Sequence, residues 1–113
     1  MIYKILSQNE WSQAQQAGEF AGSAVDHSDG FIHFSSANQV AETAAKHFAG
    51  QSDLILLAID ENLLGDELKW EVSRGGDLFP HLYAPLNLST VQSAELLPLD
   101  KNGKHIFPDS INA

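Results

Sequence analysis

Residues 29–36 read DGFIHFSS. Asp29-Gly30 is a turn signal, and the run behind it is short, aromatic and β-branched, the composition of a strand. Strand alternation puts Ile32 and Phe34 on one face, suited to a core, and Phe31, His33 and Ser35 on the other. Ser36-Ala37-Asn38-Gln39 has capping-box spacing, and Val40, Ala41, Ala44, Ala45 and Phe48 follow at helical intervals up to Gly50. The pattern predicts a helix that begins where this strand stops. Its N-terminus would bring free N–H groups and partial positive charge beside His33 and Ser35, a seat for a phosphate or carboxylate. The plainer alternative is a partly exposed histidine bonded to Ser35 or to backbone.

Upstream, Met1 to Leu6 alternates as a strand, with Ile2, Lys4 and Leu6 on one face and Tyr3 and Ile5 on the other. Ser7 to Glu10 is a second capping box, opening a helix to about Ala17 with Trp11 and Ala14 toward the core and Gly18 closing it. Residues 19–28 read as loop. Downstream, Asp53 to Asp60 (DLILLAID) is a nearly continuous apolar run, the mark of a central strand covered on both faces. Leu68 to Val72 and Leu78 to Ala84 give two short strands around Ser73-Arg74-Gly75-Gly76, and Leu88 to Leu97 closes the sheet. Two helices in the N-terminal half, followed by clustered strands, indicate an α+β fold with a mixed or antiparallel sheet. Residues 1–98 are expected to form one small domain, and 99–113 a polar, loosely ordered tail with a turn at Asn102-Gly103.

A chain of 113 residues with 43% hydrophobic content suits a single modest core. The absence of cysteine rules out disulfides and thiolate zinc sites. No stretch approaches the roughly 18 apolar residues of a membrane span, and the N-terminus lacks the features of a secretion signal, so a cytoplasmic protein without membrane contact is expected. Six basic against 15 acidic residues give a charge of -9, which disfavours general nucleic-acid binding. The cations are Lys4, Lys46, Lys69, Arg74, Lys101 and Lys104.

Lys69 and Arg74 flank a second unusual stretch, KWEVSRGGDLFPHLYAPL, residues 69–86. Phe79, His81 and Tyr83 share one face of it, while Pro80 and Pro85 point to an edge strand or strand end. Aromatics among Glu71, Arg74 and His81 are what a pocket for a flat polar ligand requires. The alternative is an edge strand that completes the core, with Glu71 and Arg74 paired on the surface. His27, His47 and His105 receive no role, and no metal site is expected, since ligand spacings such as HxH or HxxxH are missing. A pair of H-x-[ST] motifs can cleave a phosphodiester, one histidine as base and the other as acid. Here the second motif would be His81-Leu82-Tyr83, with tyrosine where a small hydroxyl is wanted.

IYKIL at the start, DGFIHFSS, LLAID and KWEVSRGGDLFPHLYAPL together resemble the small bacterial family named domain of unknown function 952, over about residues 2–98. The resemblance implies a fold similar to the ADP-ribosyltransferase superfamily, on the histidine-using branch that includes RNA 2′-phosphotransferase. It places Tyr3-Lys4 at the motif that holds the NAD ribose, His33 with Ser35 at the second motif, and His81 at the third. Lys4 stands where His or Arg is expected and His81 where a glutamate is, which turns the expectation from protein ADP-ribosylation toward transfer to, or binding of, a phosphate. The expected site therefore has His33 and His81 as catalytic residues and Tyr3, Lys4, Ser35, Ser36, Glu71, Arg74 and Tyr83 as ligand contacts. The expected partner is a small nucleotide-like ligand, with NAD as substrate and no required cofactor. A non-catalytic small-molecule or peptide-binding module is the alternative, and a paired-histidine phosphoesterase the third reading.

Overall fold

The computed structural model describes residues 1–112, apart from the side chains of Arg74, Ser110 and Asn112. In chain order its elements are β1 (Ile2–Ser7), α1 (Gln8–Ala17), β2 (Glu19–Phe20), α2 (Ala24–Asp29), β3 (Ile32–His33), β4 (Ser35–Ser36), α3 (Val40–His47), β5 (Leu54–Ile59), β6 (Leu68–Val72), β7 (Leu78–Leu82), β8 (Leu86–Asn87) and β9 (Val91–Leu96). The architecture is α+β, and every strand pairing among the described residues is antiparallel.

The main sheet has the order β4-β1-β5-β9, a second sheet the order β3-β7-β6, and β2 pairs with β8. Alternation along β1 and β5 feeds two cores. Ile2, Leu6, Ile55, Leu57 and Ile59 meet α1 and the second sheet, while Tyr3, Ile5, Leu54 and Leu56 meet α3. Covered on both faces, β5 can be apolar throughout, as DLILLAID indicated. Among the described residues no helix is long and apolar enough to cross a membrane.

Four local expectations are corrected. Residues 24–29 form a third helix rather than loop. Ser23 and Asp26 carry capping-box spacing and Gly30 closes the helix in the left-handed region, yet the helix buries no apolar side chain and so has no hydrophobic period to read. The next helix, α3, starts at Val40 instead of Ser36. The Gln39 side chain accepts from the Ser36 N–H (3.0 Å) and donates to the Leu78 carbonyl (2.8 Å), tying residues 36–39 as a turn that moves the helix start away from His33.

Pro80 lies in the central strand of its sheet, not at an edge. The Phe34 N–H donates to the Pro80 carbonyl (3.0 Å), and proline has no N–H to return the second bond. The ladder ends there, β3 stops at His33, and the chain crosses at Phe34 to the main sheet. Finally, the segment after Pro98 is packed: Phe107 and Ile111 close the second core, and Ile106 N–H donates to the Pro98 carbonyl.

Candidate functional site

Register decides the site. Ile32 pairs with Leu82 and His33 with His81, so the two histidines are cross-strand neighbours on one face of the second sheet. Their ring centroids lie 5.5 Å apart, edge to face. Phe31 stacks on His81 at 4.1 Å and reaches His33 at 4.7 Å and Tyr83 at 5.3 Å.

His81 is oriented by β6. Its Nδ1–H donates to Glu71 Oε1 (2.8 Å), and the Tyr83 hydroxyl donates to the same oxygen (2.6 Å). Those donors, Tyr83 first and His81 second, hold the Glu71 carboxyl below the usual range, and the Glu71 bond raises the Tyr83 phenol. The His81 ring is 5% exposed, and Nε2 has no hydrogen-bond partner among the described residues. No fully buried side-chain nitrogen or oxygen among them lacks a partner, so Nε2 keeps some contact with solvent. A carboxylate on Nδ1–H leaves the Nε2 lone pair available to take a proton.

His33 is built differently. Its Nδ1 donates to Asp26 Oδ1 (2.6 Å) and its Nε2 to Asp29 Oδ2 (2.8 Å), while its backbone N–H also donates to Asp26 (3.1 Å). Two carboxylate acceptors are satisfied together only by a ring that carries both protons. Asp26 further accepts from the Ser23 N–H (2.8 Å) and from Lys4 Nζ (3.0 and 3.2 Å). Burial by itself would raise the Asp26 carboxyl, but the His33 bond, the Lys4 charge and the Ser23 N–H outweigh it and hold the group at about 2. Burial pulls Lys4 below the usual lysine range against the opposing pull of Asp26.

The Asp26 shift carries a pH prediction. A carboxyl with a folded value of about 2 and an ordinary value of 3.8 stabilises the fold above pH 4 and loses that contribution as pH falls through 2. The expected loss is about 2 kcal/mol. Urea unfolding of the parent and of Asp26→Asn across this acid range should show a steeper decline for the parent; parallel declines would assign the acid sensitivity to other carboxylates.

Of the residues expected from sequence, His33, His81, Glu71 and Tyr83 come together. Lys4 reaches them only through Asp26, being 6% exposed with its ammonium spent on that carboxylate. Tyr3 and Ser35 pair across β1 and β4 and face α3, where the Ser35 hydroxyl bonds Thr43 Oγ1 (2.9 Å), on the opposite side of the main sheet. Ser36 lies in the turn before α3, its hydroxyl donating to Asn38. The Arg74 side chain lies outside the described residues. Asp26 and Asp29 were missed, and the signal that marks them is the Ser23-to-Asp26 spacing closed by Gly30. A groove of about 240 Å³, lined in part by Asp26, His27, Phe31, Tyr83 and Pro85, shares Phe31 and Tyr83 with this cluster, while His33 and His81 themselves lie outside its lining.

Residues 5–94 match the model of the family described as Protein of unknown function (DUF952). The chain belongs to that family. The crystal structure of protein CC0527 from Caulobacter crescentus is 53% identical over 99% of this DUF952 chain and 98% of that one, with a TM-score of 0.95. The solution NMR structure of CC0527 is 56% identical over 91% and 89%, with a TM-score of 0.83. No curated protein matches the DUF952 chain.

Proposed function

We propose that this DUF952 protein binds a nucleotide-like small ligand, NAD or a relative of it, in the Phe31–Tyr83 groove and across the adjoining Phe31–His81 stack, with His81 as the proton-transferring group. The observation that carries the reading is the Glu71–His81 pair, in which Nδ1 is held by a carboxylate and Nε2, unpartnered among the described residues, keeps some contact with solvent. Such a ring can accept a proton from a ligand hydroxyl and return it to a leaving group. Phe31 and Tyr83 offer aromatic surface to a flat base or nicotinamide. The groove is smaller than the roughly 300 Å³ that encloses a drug-sized ligand, so one ring and its sugar would be held and the remainder would lie on the surface. The resemblance to the ADP-ribosyltransferase superfamily, and to its RNA 2′-phosphotransferase branch, supports the same ligand class.

His33 has both ring nitrogens engaged, so it acts in this reading through charge and position. That occupancy counts against a paired-histidine phosphoesterase, which needs a second ring free to move a proton, and favours the non-catalytic binding module as runner-up.

Thermal unfolding against NAD, ADP-ribose, nicotinamide, a 2′-phosphorylated dinucleotide and a 2′,3′-cyclic nucleotide tests the reading. A ligand at 100 times its Kd stabilises by about 2.7 kcal/mol, a shift of several degrees for a domain this size. NAD or ADP-ribose is expected to give that shift, and Phe31→Ala to remove it. His81→Gln is expected to keep binding and lose any turnover of the bound ligand; binding with no turnover in the parent marks the binding module. If no member of the panel moves the transition, the nucleotide reading fails.

A further inference from the structure

Helix α2 is attached to the molecule by charge. Of its six residues only Asp26 is buried, and Val25 is 57% exposed, so hydrophobic packing contributes little to holding it. A helix this short does not persist by itself. Its anchors are Asp26, bonded to Lys4 and to His33 Nδ1, and Asp29, bonded to His33 Nε2. Glycines in the left-handed region flank it: Gly30 at φ +87° caps its C-terminus, and Gly22 at φ +115° leaves room for Asp26, whose Cβ would lie 2.9 Å from an added methyl. The segment also forms one wall of the groove through Asp26, His27 and Gly30, facing Tyr83, Ala84 and Pro85.

We propose that α2 is a proton-latched lid on the Phe31–Tyr83 groove, closed while a doubly protonated His33 bridges Asp26 and Asp29 and released at its Asp29 end when His33 loses a proton. A neutral imidazole has one N–H and can satisfy one of the two carboxylates. Asp26 is buried and cannot exchange a lost donor for water, whereas Asp29 can, so the proton stays on Nδ1 and the lone pair turns toward Asp29. Asp29, with a side chain 47% exposed, then gains by swinging into water, and the turn through Gly30 and Phe31 loosens with it. The groups that face His33 are Asp26 and Asp29 from α2, His81 from β7 with Glu71 behind it, and Lys4 from β1 through Asp26. The latch stands on these contacts alone; only its use as a gate rests on the ligand reading above.

Amide hydrogen exchange, corrected for its intrinsic pH dependence, and NMR titration of the His33 ring test the latch on the full chain. The reporters are the Gly30 and Phe31 amides, which donate to the Asp26 carbonyl at 2.8 and 3.2 Å. As rising pH takes the His33 ring from doubly to singly protonated, their protection should fall roughly tenfold or more in step with the ring resonances, while β5 amides hold steady. Asp29→Asn, which alters an exposed position, should weaken protection at the low end and flatten the pH dependence. Flat protection while His33 titrates, a His33 ring that keeps both protons throughout, or β5 protection falling in parallel would each overturn the proposal. An α2 response without any ligand shift upholds the latch and sinks the ligand reading, and a ligand shift with unresponsive α2 does the reverse.

Discussion

Lys4→Met is expected to lower the unfolding free energy by about 3 kcal/mol, and the melting temperature by roughly 10–20 °C. Methionine fills most of the volume of the lysine stem and cannot donate. Asp26, 2% exposed, then keeps its negative charge with only His33 and the Ser23 N–H to balance it. Removing one partner of a buried pair leaves an uncompensated charge, which typically costs about 3–5 kcal/mol; the remaining donors set the value at the low end. Urea unfolding with an unchanged m-value measures it, and Lys4→Met combined with Asp26→Asn should recover part of the loss because the stranded charge is gone. A loss below about 1 kcal/mol would mean that the pair behaves as a surface ion pair. The same experiment separates two roles for Lys4. A lysine that held a ligand anion would spare the fold when replaced, whereas one bonded to Asp26 at 3.0 Å cannot.

Leu57→Ala should cost about 3–4 kcal/mol, while Trp70→Ala should cost under about 1 kcal/mol. Leu57 is fully buried in β5, and its neighbours come from α1, β1 and the second sheet, so the cavity has rigid walls on every side. Trp70 is the larger side chain but is 41% exposed on β6, the outer strand of its sheet, opposite Pro80. Its truncation leaves a surface notch that water fills. Chemical unfolding of both variants checks the contrast, and similar losses would show that Trp70 packs against something more than β7.

The central strand was legible because burial on both faces leaves a mark that composition alone can carry: no residue in LILLAI needs to be polar. The alternation Ile32/Phe34 against Phe31/His33 was legible for the same reason, since Ile32 and Phe34 are 3% exposed and must lie on the core side. Helix α2 was not. Its sole buried residue is a carboxylate, whose burial depends on a lysine 22 residues earlier and a histidine seven later. A periodicity of apolar residues cannot report an electrostatic attachment.

Capping and turn chemistry, apolar runs and alternation are local properties, and from them the sequence by itself determined the α+β class, the places of β1, β5 and β6, and the shared face of Phe79, His81 and Tyr83. What only the tertiary structure decided is which of these faces meet. The register of β3 on β7 sets His33 against His81, and Pro80, by withholding one N–H, turns the chain at Phe34 so that Ser35 departs to the far side of the main sheet. Register and crossover depend on hydrogen bonds between residues about 46 to 50 positions apart, and no short-range pattern encodes them.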